Sequence, residues 1–331
     1  MTSIDRILVR APNWIGDAVM SLGAVRDLRR NFPSARIEVL ARGWVADVYR
    51  AVGEVDSVRR VGRFLEDARS LKGSFDAALL LTNSFGTALL AYVAGIPERW
   101  GYARDGRGPL LTRRARVPRG VRGWSEVYYY RAMLAGLGLH VSASPDVSLA
   151  APEAWRSRGA EILGGEGPWI GVNPGAAYGS AKQWMPERFA VVAARAGREL
   201  GARVAIVGAA SERTMAERLA KSLPASARVL CGETTLPELI GVISRCGVFL
   251  TNDSGPMHLA AAQGVPVVAV FGPTDWRETA PVGTAHRVVR EDVPCAPCKL
   301  RECPIDHACM KTVTVDRVFD AVQDLWTAGH A

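Results

Sequence analysis

Along the first 140 residues, short β-rich apolar runs alternate with helical patterns. "RILV" precedes a stretch in which Ala18, Leu22, Val25, Leu28 and Phe32 fall close to one helical face. "RIEVLA" follows, then a helix near Trp44 to Ala51, the run "VDSVRRV" and a short helix near Phe64 to Leu71. "FDAALLL" is continuously apolar rather than alternating, which predicts a strand buried on both faces. Helices are expected over Thr87 to Ala94 and Trp124 to Leu137.

The serine- and proline-rich segment "HVSASPDVSLAAPEAW" breaks this rhythm and reads as a linker. The alternation then restarts with "WIGVNPG", a helix from Pro186 to Leu200, "RVAIVG", a helix from Ser211 to Leu219 and "ARVL". It continues with a helix from Pro237 to Cys246, "VFLTND", a helix from Gly255 to Gln263 and "VPVVAVFGPT"; an amphipathic helix from Val315 to Ala328 closes the chain. Strands alternating with helices predict an α/β protein with parallel sheets covered on both faces. Two such runs predict two Rossmann-like domains facing across a cleft: residues 1–150, and residues 151–314 with a cysteine-rich loop at 295–309, followed by a terminal helix at 315–331. Ligands of such sheets bind beyond the carboxyl ends of the strands. That rule selects "PNWIGD", "LTNS", "NPGAAYGSAK", "VGAASE", "TNDSG" and "FGPT".

The length of 331 residues accommodates two domains, and 22% charged residues is ordinary for a soluble protein. No apolar run approaches the roughly 20 residues of a membrane span. "MTSIDRILVR" has none of the regions of a signal peptide, so the expected compartment is the cytoplasm. The net charge of +8 is concentrated: Arg99 to Arg122 contains eight arginines and a single acid, Asp105. Such a stretch is either a solvated basic loop or an attractor of anions. A nucleic-acid site would show aromatics interleaved as stacking platforms, or a known module, and neither is convincing here. An anionic small or lipid-bound partner fits it better.

Neither G-x-G-x-x-G nor G-x-x-x-x-G-K-[ST] occurs, which weighs against a nicotinamide dehydrogenase and a P-loop NTPase. In "TNDSGPMH", Asp253, Ser254 and Gly255 fall where free backbone N–H groups and the positive end of a helix meet an anion. Helix capping alone would explain Asp-Ser-Gly, but not His258, one turn further on the same face. In "NPGAAYGSAKQW", Asn173 and Gly175 belong to a strand-end turn, and Lys182 is placed to neutralise a diphosphate or simply to face solvent. Glu212 either accepts from a ribose or base, or favours its own helix start. Asp17, in "PNWIGDAVM", puts a carboxylate in a strand-to-helix turn where other nucleotide-binding proteins hold a phosphate. It could cap the helix or act as a general base. Cys295, Cys298, Cys303 and Cys309, with His307 nearby, have spacing compatible with structural zinc, an iron–sulfur cluster, or four ordinary thiols. Disulfides are not expected in a reducing compartment.

The stretches "PNWIGDAVM", "TNSFGTALLAYVAGIPERWGY", "NPGAAYGSAKQW", "TNDSGPMHLAAA" and "VAVFGPT" resemble the ADP-heptose:lipopolysaccharide heptosyltransferases of glycosyltransferase family nine. Occurring in order, they span nearly the whole chain. The resemblance implies a GT-B fold and inverting, metal-independent transfer of heptose from ADP-heptose to the inner core on lipid A, with no cofactor required for catalysis. It implies Asp17 as base and Lys182, Asp253, Ser254, Gly255 and His258 as donor-binding positions, with Ala177, Tyr178, Glu212 and Thr234 near further donor contacts. Asn13, Arg104, Arg113 and Arg114 are candidates for the anionic heptosyl-Kdo-lipid A acceptor. The expected place of action is peripheral, at the inner face of the cytoplasmic membrane. Rival readings are a GT-B enzyme using another nucleotide sugar, a non-catalytic protein that binds lipid-linked sugar, and a dinucleotide-dependent oxidoreductase.

Overall fold

A computed structural model describes residues 4–121, 123–165, 167–224, 226–283 and 285–330; Met1–Ser3, Arg122 (the last arginine of the basic stretch) and Ala331 lie outside them. The chain divides into two compact units, Met1–Leu149 and Ala150–Ala331.

The first unit is built on six parallel strands: β1 (Arg6–Arg10), β2 (Arg36–Ala41), β3 (Ser57–Arg60), β4 (Ala77–Leu80), β5 (Glu98–Tyr102) and β6 (Arg113–Ala115), in the order β3-β2-β1-β4-β5-β6. The central strand β1 pairs with both β2 and β4, so that Ile7 faces Ile37 on one side and Ala77 on the other. Leu8, Leu40, Ala78 and Leu80 pack with Leu71, Phe75, Leu90 and Ile96 into one buried cluster. The first helical pattern forms as two pieces, Ile15–Met20 and Leu22–Asn31. The break is at Ser21, whose Oγ donates to the Ala18 carbonyl and lies 2.8 Å from the Tyr49 hydroxyl. A hydroxyl that bonds back to its own helix favours such a bend.

The second unit repeats the plan with β7 (Trp169–Asn173), β8 (Arg203–Ile206), β9 (Arg228–Val229), β10 (Cys246–Asn252), β11 (Val267–Val270) and β12 (His286–Val289). Their order, β12-β11-β10-β7-β8-β9, is that of the first sheet when the strands are counted from the start of the unit. Ile170, Val172, Val204, Leu250 and Val268 supply the sheet side of its core, and Phe189, Phe319 and Val322 supply the helix side. The terminal helix Val315–His330 is thus a covering layer of this unit.

The strand β12 and the short helices Trp276–Thr279 and Ala308–Lys311 have no counterpart among the predicted elements, and two further segments differ from expectation. The basic stretch contains β5 and β6, and much of its charge is spent inside the unit. Arg107 is fully buried and donates to the carbonyls of Tyr102 and Thr82, while Arg99 donates to those of Leu110 and Ile96. Second, a helix at Glu153–Leu163 begins within the segment read as a linker. It buries only Gly159 and Leu163, and Gly159 packs directly on Gly241 of the helix Leu236–Ile243. That contact leaves no apolar stripe in the sequence.

Candidate functional site

In each sheet the strand order reverses between the two central strands, β1 and β4 in the first, β7 and β10 in the second. Chains leave the carboxyl ends of such a pair in opposite directions and open a crevice between them.

In the first unit the loop after β1 carries Asn13, Trp14 and Asp17. Trp14 occupies the N-cap of the helix Ile15–Met20 and contributes no side-chain hydrogen bond to it; Asp17 lies inside the first turn. Asp17 is therefore not the capping residue, although its charge still favours the positive helix end. It sits close enough to Tyr49 and Tyr130 for its charge to add to the burial that pushes both phenols up. Asn13 accepts from Arg10 at 3.0 Å through its side chain, and its carbonyl accepts from the Trp44 indole at 2.8 Å. Burial, reinforced by the nearby Arg42, pulls the Arg10 guanidinium down to about 10. At the end of β4, Asn83 donates to the Tyr129 hydroxyl at 2.8 Å, and Arg104 reaches the same oxygen at 3.5 Å. Arg113 and Arg114 are engaged elsewhere. Arg113 donates to the Leu137 carbonyl and lies over Trp100, and Arg114 donates to the Leu111 carbonyl at 3.3 Å.

The second unit has the denser polar cluster. Asn173, ending β7, donates to the Val207 carbonyl at 3.0 Å and accepts from Ser254 at 3.0 Å and Thr251 at 3.3 Å. Asn252, ending β10, donates to the Pro174 carbonyl at 2.8 Å and accepts from the Trp184 backbone N–H at 3.0 Å. These bonds fasten the turn after β7 to the start of the helix Gly255–Ala262. Ser254 is the N-cap of that helix but makes no capping bond, because its hydroxyl is turned to Asn173 and Thr251. The Ser254 side chain thus leaves the helix start uncapped, and such a start favours an anion.

Lys182 Nζ lies 2.6 Å from Asp253 Oδ2, and the same oxygen accepts from Thr274 at 2.7 Å. Both side chains of the pair are largely buried, at 12% and 4% exposure. His258, behind Asp253, is pulled down by burial to about 4. It is neutral near pH 7 and can offer a diphosphate a hydrogen bond but no charge. Glu212 is pushed up by burial, against N–H bonds from Ala209 and Ala176. Its carboxylate occupies the space that a Cβ on Gly175 would need, so glycine at 175 is what admits it. Ala177 is exposed and Tyr178 and Thr234 half-buried; the cap of the helix Leu236–Ile243 is Thr235, one residue beyond Thr234.

The cysteines do not form the metal site considered from their spacing. Among the described residues no group of three or more His, Cys, Asp or Glu side chains is placed to hold a metal ion. Cys295 and Cys298 are exposed and Cys303 half-buried, whereas Cys309 faces the core beside Gly272 and Met310. Burial pushes the Cys309 thiol up to about 11, and Cys295, Cys298 and Cys303 lie near enough to add to that rise. His307, the remaining candidate, donates from Nε2 to the Ala181 carbonyl at 2.7 Å.

Two doubly wound α/β units, each with a polar cluster at its switch point, are the architecture of the GT-B fold. The chain belongs to glycosyltransferase family 9 (heptosyltransferase), which it matches over residues 65–309. It is 31% identical over 313 residues to lipopolysaccharide heptosyltransferase 2 of Escherichia coli K12, covering 86% of this chain and 88% of that one. Identity to the Salmonella typhimurium protein of the same name is 32% with the same coverage. Among solved structures, the E. coli ADP-heptose lps heptosyltransferase II superposes with a TM-score of 0.85 at 29% identity, covering 98% of this chain and all of that one. A family 9 glycosyl transferase from Veillonella parvula also gives 0.85, at 25% identity, covering 98% and 97%. No helix among the described residues is long and apolar enough to cross a membrane.

Proposed function

We propose that this glycosyltransferase moves heptose from ADP-heptose to the heptosyl-Kdo-lipid A inner core of lipopolysaccharide, with inversion and without a catalytic metal. The relatives' names support the donor and acceptor. The observation that carries the mechanism is the Lys182–Asp253 pair beside the uncapped helix start at Ser254-Gly255. A fixed ammonium and a helix N-terminus can stabilise departing ADP without a divalent ion. Asn173, Gly175, Ala177, Tyr178, Glu212, Thr234 and His258 belong to the donor side in this reading. Asp17 removes the acceptor proton as the hydroxyl oxygen attacks the anomeric carbon, which forms the new glycosidic bond as the bond to ADP breaks. Asn13 and Arg104 belong to the acceptor side. Arg113 and Arg114 each give one donor to a carbonyl, of Leu137 and Leu111, and the rest of each guanidinium stays with the acceptor side in this reading.

Contact with a lipid surface is supported by exposed Trp14, Trp44, Phe64, Leu65 and Phe85, all on loops or helix starts that follow strands of the first sheet. Arg63, 88% exposed, adds charge suited to anionic headgroups. The same surface would let the enzyme work at the inner face of the cytoplasmic membrane.

The test is Asp17→Asn, assayed by ADP release from ADP-heptose with a deacylated monoheptosyl inner-core acceptor. Because Asp17 lies within the first turn and not at the N-cap, the amide keeps the side chain's shape there and loses the charge–dipole contribution, about 0.3–1 kcal/mol of stability. Turnover should fall by at least about 100-fold, the scale of general-base catalysis. Retained turnover would remove Asp17 as the base, and no ADP release by the wild type would remove the donor assignment.

A further inference from the structure

The cysteine-rich loop is laced to the donor loop through its backbone carbonyls and His307. Tyr178 Oη donates to the Lys299 carbonyl at 3.0 Å, and the Ala181 N–H donates to the Arg301 carbonyl at 3.0 Å. The Ala181 carbonyl in turn accepts from His307. A Cβ on Gly179 would lie 2.2 Å from the Arg301 carbonyl oxygen, so only glycine allows the two loops to meet there. This seam lays the Arg301 guanidinium over the Tyr178 ring at 5.1 Å, and Lys182 Nζ lies 5.0 Å from the centroid of the same ring.

The charges around that ring are uneven. Lys182 shares its charge with Asp253, and His258 is uncharged at neutral pH. Arg301 is exposed and, among the described residues, has no carboxylate partner. A nucleoside diphosphate brings at least two negative charges, and a planar guanidinium stacked on an aromatic ring is pre-organised for bidentate phosphate binding. We infer that Arg301, supplied by the cysteine-rich loop, is a second diphosphate-binding cation of the donor site, with Tyr178 as its platform. The inference rests on the donor reading of the Lys182 loop given above. It gives the cysteine-rich loop a binding task that its thiols do not perform.

The experiment is calorimetric titration of the full-length wild type, Arg301→Lys and Arg301→Gln with ADP, UDP and inorganic pyrophosphate, with melting temperatures recorded alongside. Arg301→Gln should weaken ADP binding about tenfold at low salt, the scale of one charge-assisted contact. Arg301→Lys should fall between it and the wild type, and melting temperatures should stay together. The gap between wild type and Arg301→Gln should close in 1 M salt, where exposed charges are screened; a packing role would not respond to salt. Equal affinities for wild type and Arg301→Gln overturn the inference. So does equal weakening by Lys and Gln accompanied by a lower melting temperature, which would make Arg301 structural. Wild type that binds UDP in preference to ADP would sink the ADP reading alone, and Arg301 would still be judged on UDP. Wild type that binds none of the three overturns both.

Discussion

Breaking the Lys182–Asp253 pair from either side should give unequal losses. At 2.6 Å and an effective dielectric constant near 20, the gross attraction between unit charges is about 6 kcal/mol, before the desolvation of both groups is subtracted. Removing one partner of a buried pair typically costs about 3–5 kcal/mol, mostly because the other is left uncompensated. The two survivors differ in their surroundings. Without Lys182, Asp253 keeps the hydroxyls of Thr274 at 2.7 Å and Thr279 at 3.4 Å. Without the Asp253 charge, Lys182 keeps, among the described residues, only the face of Tyr178. Asp253→Asn should therefore destabilise the Ala150–Ala331 unit by about 3 kcal/mol and Lys182→Met by about 1–2 kcal/mol. In a unit of this size a 3 kcal/mol loss lowers the melting temperature by roughly 6–12 °C. The double variant should be less destabilised than the sum of the singles, by about 1–3 kcal/mol. Scanning calorimetry of the four proteins closes the cycle. Additive losses, or Lys182→Met falling below Asp253→Asn, would refute the reasoning.

Two further predictions concern pH. The unfolded chain binds a proton at His258 near its ordinary value of 6.5, while the folded chain resists it down to about 4. Stability should thus fall as pH drops through that window, by up to about 3 kcal/mol; His258→Gln should flatten the fall, and an imidazole NMR titration of the wild type should find this ring still neutral at pH 6. Glu212 works in the opposite direction. Its folded carboxyl is raised, so the folded state holds the proton longer and stability should decline as pH rises from the ordinary 4.5 through the folded value. Melts of Glu212→Gln across pH 4–7 should lack that decline, and an unchanged profile would show that burial does not govern this group.

The alternation of apolar runs with helical patterns made the α/β class legible, because strands such as "AALL" and "WIGVN" are buried on both faces and show it in composition alone. β5 and β6 escaped because "ERWGY" mixes charge and glycine with its aromatics and "RRA" is mostly arginine, and nothing local reveals that Arg99 and Arg107 turn their charge onto carbonyls. Strand-end loops marked Asn173, Lys182 and Asp253, but the bonds that bring them together are long-range. Asn252 and Thr274 stood in loops already singled out, yet their partners lie 21–78 residues away. Arg301 was hidden differently: the cysteines around it drew a metal reading, and its stacking on Tyr178 exists only once the two loops have met.

The repeated strand order also sets the timing of synthesis. In both sheets the first strand made is central, and it waits for a partner far behind it: Ile7 pairs with Ala77, and Ile170 with Val248. At roughly 5–20 residues per second, an emerging chain takes about 4–14 s to deliver the seventy residues between Ile7 and Ala77. For that interval one edge of an apolar strand stays unpaired, the kind of surface that templates aggregation. The nascent protein passes through this exposure twice, and the second comes after the first unit has had time to close. Slowed elongation between Ile7 and Ala77, or between Ile170 and Val248, should therefore harm yield more than slowed elongation between the units.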